Sequence, residues 1–119
     1  MSQKTVRLTM AQAVARFMTA QMTVIDGEKL PIFGGVWAIF GHGNVAGIGE
    51  ALYAVKDQLP TYRGQNEQSM AHAAIAYGKA SFRRRFMAAT TSIGPGALNM
   101  VTAAGLAYEI GRASCRERV

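Results

Sequence analysis

Glu67 is the residue in this sequence best placed to do chemistry. It follows Tyr62-Arg63-Gly64-Gln65-Asn66 and opens the run Gln68-Ser69-Met70-Ala71-His72-Ala73-Ala74. Asn66 can cap a helix by accepting a backbone N–H of the first turn, and Glu67 then sits at the positive end of the helix dipole. An ordinary surface helix shows the same cap and first-turn acid. Ala71, Ala73, Ala74 and Ala76 leave few long polar side chains after Ser69 apart from His72. Such a helix is expected to bury most of its surface and to aim its first carboxylate into an interior or an interface. His72 falls on a different face from Glu67 and reads as a packing residue.

Two glycine-containing stretches offer further chemistry. Gly41-His42-Gly43-Asn44-Val45-Ala46 matches G-x-G-x-x-A, a pattern that holds a pyrophosphate at a helix N-terminus, with Glu67 roughly twenty residues on as the ribose acceptor. Against this reading, a ribose-binding acid belongs at the end of the second strand, not inside a helix. His42 and Gly43, at the carboxyl end of a strand, can hydrogen-bond a substrate hydroxyl or simply shape the loop. In Thr91-Ser92-Ile93-Gly94-Pro95-Gly96 the residues Gly94, Pro95 and Gly96 expose backbone without bulk. A flat ligand can lie against such a main chain, and so can a plain tight turn.

Stepping outward, these residues need elements to hold them. Thr9 can cap a helix through Ala11, Val14, Ala15, Phe17 and Met18, whose three- and four-residue spacing forms one apolar face. Asp26 to Pro31 is a turn-rich connection. Val36-Trp37-Ala38-Ile39-Phe40 reads as a strand buried on both faces, hence a central parallel one. The glycine loop leads into helical Glu50 to Lys56. Thr61 to Gly64 is a second strand, Phe86 to Thr90 a third, and Gly94 to Tyr108 a helix. Alternation of this kind implies an α/β domain, a parallel sheet flanked by helices, with the three loops at the carboxyl ends of the strands forming one site.

Composition narrows the classes. One domain is the natural count for 119 residues, of which half are hydrophobic. The formal charge is +6, but the basic residues are scattered except for Arg83-Arg84-Arg85, and no aromatic ladder accompanies them, so no nucleic-acid partner is expected. That run reads as a solvated turn. The longest apolar run, around Pro31 to Phe40, is broken by glycines and too short for a bilayer, and Met1 to Met10 has no apolar signal core. A cytoplasmic chain without a membrane partner is the expectation, and the single cysteine, Cys115, does not argue against it.

From Ile110 the apolar periodicity stops. The segment Ile-Gly-Arg-Ala-Ser-Cys-Arg-Glu-Arg-Val resembles one translated frame of a sequencing adapter. Residues 1–109 are therefore read as the authentic, partial domain and 110–119 as a non-native tail, of which Gly111 to Val119 is expected to pack against nothing, with a longer natural protein continuing past Tyr108.

Three segments together carry a family resemblance: Phe40-Gly41-His42-Gly43-Asn44, Asn66 to Ala74, and Ser92-Ile93-Gly94-Pro95-Gly96-Ala97-Leu98-Asn99-Met100. In this order they resemble the pyrimidine-binding domain of thiamine-diphosphate enzymes. Within that superfamily the chain looks most like the acylhydrolases of inositol catabolism, which open the ring of trihydroxycyclohexane-1,2-dione. The resemblance covers about Thr5 to Tyr108. Other branches, such as acetolactate synthase-like enzymes, and a dinucleotide-binding or purely structural α/β domain stay open beside it.

The resemblance implies an active site shared between two domains. This domain would grip the aminopyrimidine of thiamine diphosphate, while the diphosphate and its magnesium belong to a domain outside this chain, so no metal ligand is expected here. Glu67 takes the position of the glutamic acid that shares a proton with the aminopyrimidine ring nitrogen; burial of that acid would raise its pKa and favour the imino tautomer. Gly94, Pro95, Gly96 and Asn99 fall where the superfamily places its cofactor-binding residues, the asparagine there standing behind the direct contacts or ordering the loop more often than it binds the cofactor itself. His42 and Gly43 are candidates for the cyclic dione substrate. A homodimer or higher homo-oligomer is implied for the full-length protein, and no activity for this fragment by itself.

Overall fold

Thr9 starts the first helix as anticipated. Its Oγ1 accepts the Gln12 N–H at 3.2 Å while its own N–H donates to Gln12 Oε1 at 3.0 Å, a reciprocal cap for α1 (Met10–Ala20). The computed structural model describes residues 4–109; the expectation of an unpacked tail therefore lies outside the described residues. The apolar face of α1 is narrower than its spacing suggests. Ala15 and Met18 are buried, but Val14 and Phe17 keep 41% and 62% of their surface exposed. The row Ala11, Ala15 and Met18 meets α2 (Glu50–Ala54) and its approach, and Val14 and Phe17 stand on the next row.

The stretch from Asp26 to Pro31 is more than a connection. Met22–Ile25 (β1) and Glu28–Pro31 (β2) form an antiparallel hairpin that pairs Ile25 with Glu28 across Asp26-Gly27. Both turn residues have positive φ, 52° and 81°. A two-residue turn of that hand matches the right-handed twist of its strands, which is why Asp-Gly is a strong hairpin signal.

The second sheet is parallel, in the order β4-β3-β5, with β3 (Phe33–Ala38) between β4 (Thr61–Arg63) and β5 (Phe86–Thr90). The central position of the apolar run is as anticipated, but the strand begins and ends earlier than Val36 to Phe40. Its ends are set by its neighbours. Phe33 pairs with Phe86 ahead of an irregularity at the two glycines, and Ala38 pairs with Arg63 on one side and Thr90 on the other, where both neighbours stop. All three strands thus finish level with one another. The loops that follow leave from the same edge, which is where ligands of such sheets bind.

Helices flank the sheet around two apolar clusters. One joins Ala15 and Met18 of α1 to Val36, Ala51, Leu52 and Leu59; the other joins Ala71 and Ile75 of α3 (Glu67–Ala80) to Ala103 and Ala107 of α5 (Val101–Glu109). The α3 helix buries Met70, Ala71, Ala74, Ile75 and Gly78 and leaves Ala76 and Ala80 exposed. Ten of its fourteen residues are buried or half-buried, in line with the expectation that it buries most of its surface, and the exposed ones are Ser69, Ala76, Lys79 and Ala80. His72 is half-buried. Between the glycine loop and α2 the chain makes a short π-helical segment, Val45–Gly49.

Two further details depart from the sequence reading. The span from Gly94 to Tyr108 is not one helix but α4 (Pro95–Asn99) followed by α5. The Met100 N–H turns back to the Ala97 carbonyl at 3.1 Å, a tighter i−3 bond that closes α4 before α5 begins. The arginine run lies in the turn after α3, where Phe82 and Arg83 have φ of 53° and 62°. Arg85 is tied down rather than solvated, since its Nε donates to the Pro31 carbonyl at 2.8 Å.

Candidate functional site

The site assembles from the loop after β5 upward. Gly94 has φ +61°, which suits a residue without a Cβ, and Pro95 follows at the first position of α4, where its missing N–H costs nothing. These two residues turn the chain back across the sheet edge. Along α4, Gly96 and Asn99 stand three apart and so share a face. That face meets Glu67.

Glu67 is the first residue of α3. Asn66, extended at φ −150°, accepts the Ser69 N–H on its Oδ1 at 3.1 Å, so the cap read from the sequence is present. The carboxylate reaches over to α4, where Asn99 Nδ2 donates to Glu67 Oε2 at 3.2 Å. The other oxygen lies against bare backbone: a Cβ added to Gly96 would stand 2.6 Å from Glu67 Oε1 and 2.6 Å from Ser92 Oγ. Glycine is therefore the residue that fits at this position. Glu67 is half-buried, and among the described residues Oε1 accepts no hydrogen bond and no cation pairs with the carboxylate.

The first loop joins through Ser92 and Asn44. An added Cβ at Gly41 would lie 2.6 Å from the Ser92 Cβ, and Asn44 Nδ2 donates to the Thr91 carbonyl at 3.2 Å. All three loops are thereby linked on one edge, with Ser92 between Gly41 and Gly96. Sequence reasoning passed over Ser92 and Asn44. The available signal was that a small hydroxyl residue precedes Gly94-Pro95-Gly96 and an asparagine closes the glycine loop, both types suited to bracing a turn.

The remaining candidates are placed less centrally. His42 is exposed, and its carbonyl accepts the Asn44 N–H at 2.9 Å, while its imidazole makes no hydrogen bond among the described residues. Gly43 is exposed with φ +75°. Both shape the loop, and neither is brought against Glu67 by a described contact. No group of three His, Cys, Asp or Glu able to hold a metal occurs among the described residues, and none of their helices is long and apolar enough to cross a membrane.

What this arrangement can do follows from its polarity. A carboxylate with one oxygen held and the other unpartnered, set beside a backbone cleared of side chain, can accept a hydrogen bond from a ligand group that lies close against the main chain. The dinucleotide reading does not fit. Glu67 turns toward the third loop and not toward the glycine loop, and that loop opens a π-helical turn instead of a long helix whose N-terminus would face a pyrophosphate.

Residues 35–111 match the family described as thiamine pyrophosphate enzyme, N-terminal TPP binding domain. A protein of Listeria innocua named 3D-(3,5/4)-trihydroxycyclohexane-1,2-dione hydrolase is 52% identical over 108 residues, covering 91% of this chain and 17% of its own length. Its namesakes in Bacillus licheniformis and Bacillus subtilis are each 52% identical over 104 residues, covering 87% of this chain and 16% of their own. The chain thus spans about a sixth of the length of these relatives. No solved structure matches it significantly. With the family's match beginning within the central strand and running past the last described helix, and the three loops and Glu67 inside it, this chain belongs to the thiamine pyrophosphate enzymes, of which it carries N-terminal cofactor-binding domain sequence.

Proposed function

We propose that this chain is part of a thiamine-diphosphate-dependent hydrolase that cleaves a C–C bond to open trihydroxycyclohexane-1,2-dione in inositol catabolism. Its own share of the work is to hold the aminopyrimidine of the cofactor. The observation that carries the reading is the Glu67 carboxylate in its cradle between Gly96 and Asn99. The substrate class comes from the names of relatives that are 52% identical.

Bound thiamine diphosphate supplies an electron sink for breaking a bond beside a carbonyl. The residues of this chain hold and move one proton. Glu67 Oε1, unpartnered among the described residues, would hold that proton toward the ring nitrogen of the cofactor, and Gly96, which adds no side chain there, would leave room for it. Gly94 and Pro95 set the turn that brings Gly96 there. Ser92, wedged between the first and third loops, keeps both in place. Magnesium and the diphosphate are held by residues outside this chain, and a homodimer or higher homo-oligomer in the cytoplasm is the form in which the complete site works. His42 and Gly43, on the exposed first loop, are left for the substrate side.

Glu67→Gln in the full-length protein tests this reading. The amide has the same size but cannot exchange a proton, and positioned proton transfer contributes roughly a hundred- to ten-thousand-fold in rate. Ring-opening turnover measured with saturating thiamine diphosphate and magnesium is expected to fall within that range. Turnover equal to wild type would remove Glu67 from the reaction.

A further inference from the structure

We propose that Asn99 is a positioning residue that acts on the cofactor through Glu67 and does not bind the cofactor itself. The inference rests on the cofactor reading above. Among the described residues the amide of Asn99 has one hydrogen-bond partner, Glu67 Oε2, which it reaches from 32 positions away in sequence at 3.2 Å. Asn99 is the last residue of α4, a helix held at its start by the Gly94 turn and at its end by the Met100-to-Ala97 bond. The donor is thus presented from a short, braced element by a side chain with only two rotatable bonds.

The carboxylate needs that support. The terminal torsion of a glutamate is broad and nearly free, and Glu67 is half-buried with no cation paired to it among the described residues. With Oε2 held by Asn99 and the main chain at Gly96 standing against the other side, the two oxygens become inequivalent. Oε1 is the one left for the ring. Gly96 and Asn99, on one face of α4, act as two halves of one clamp, and the spacing G-x-x-N is what puts them there.

A binding comparison separates this role from a merely structural one. The dissociation constants of thiamine diphosphate and of the analogue with CH in place of the ring nitrogen facing Glu67 are measured on the full-length protein with magnesium, by quenching of intrinsic fluorescence. Wild type is expected to prefer the cofactor, and the ratio of the two constants reports the nitrogen's contact with Glu67. In Asn99→Ala that ratio is expected to shrink by about tenfold, the scale of one hydrogen bond to a charged group, while binding of the analogue changes less than about twofold. Asn99→Asp, of the same shape but with no donor for a carboxylate, is expected to lose the preference as well. In a Glu67→Gln background, Asn99→Ala is expected to shrink the ratio no further. Equal weakening of both compounds in the Asn99 variants, an unchanged ratio, or a full additional loss in the Glu67→Gln background would each overturn the positioning role. A wild-type protein that binds both compounds equally, or neither, would instead overturn the cofactor reading, and this inference with it.

Discussion

Asn99 Nδ2 stands 3.2 Å from Glu67 Oε2, joining the end of α4 to the first residue of α3. The contact closes the third loop over the second. It also makes the two oxygens of one carboxylate different, because Oε1 faces the main chain of Gly96. The consequences of that asymmetry, and of the loops that frame it, are open to measurement.

Glu67→Gln should separate chemistry from stability. As a first-turn helix residue Glu67 contributes about 0.3–1 kcal/mol through the helix dipole. The melting temperature of the variant is therefore expected to fall by no more than a few degrees while turnover falls by orders of magnitude. A large loss of stability accompanying the loss of rate would mean that Glu67 is structural.

Gly96→Ala should damage the site with a localised effect. The new methyl group would meet Glu67 Oε1 and Ser92 Oγ, each at 2.6 Å, and overpacking of this kind costs about 1–3 kcal/mol. Thiamine diphosphate affinity is expected to fall by about tenfold or more, since 1.4 kcal/mol corresponds to a factor of ten. Gly105→Ala is the control. Gly105 lies within α5 with nothing inside 4 Å of an added Cβ, so the change should stabilise the helix by up to roughly 1 kcal/mol and leave affinity alone.

Asn44→Ala should loosen the first loop from the third. It removes the bond to the Thr91 carbonyl, a neutral hydrogen bond of roughly 0.5–1.5 kcal/mol. Amide exchange is expected to quicken in residues 41–44 and 91–94 and to stay unchanged in α5. Equal protection in both loops would show that the Gly41–Ser92 contact holds them without help.

Gly27→Ala tests independence of the hairpin from the site. Gly27 has φ +81° and open space around it, so the penalty is one of backbone conformation, about 1–2 kcal/mol. A lower melting temperature with unchanged cofactor affinity is expected, because the hairpin contributes none of the side chains around Glu67. A matching loss of affinity would tie the two sheets together functionally.

Local signals carried much of this molecule. Thr9 with Gln12, and Asn66 before Glu67, mark helix starts because a cap is satisfied within four residues of chain. The apolar run from Val36, ended by glycine, read as a strand covered on both faces, and the alternation around it pointed to a parallel sheet whose loops share an edge. Even the position of Glu67 at that edge was legible, since a loop between strand and helix must emerge at the carboxyl end.

What distance in sequence separates, only the tertiary structure joined. The bond from Asn99 to Glu67 and the contact of Gly96 with the same carboxylate depend on α4 stopping at Asn99, and that stop is set by a tightened turn which no propensity distinguishes from a continuous helix. Likewise, Ser92 gains its place because Gly41 arrives from another loop. On α1 the apolar pattern marked Val14 and Phe17 as equal to Ala15 and Met18, yet they remain at the surface because burial needs a partner element, and α2 meets one row only. Periodicity states which residues can be buried; the packing of elements far apart in the chain decides which of them are.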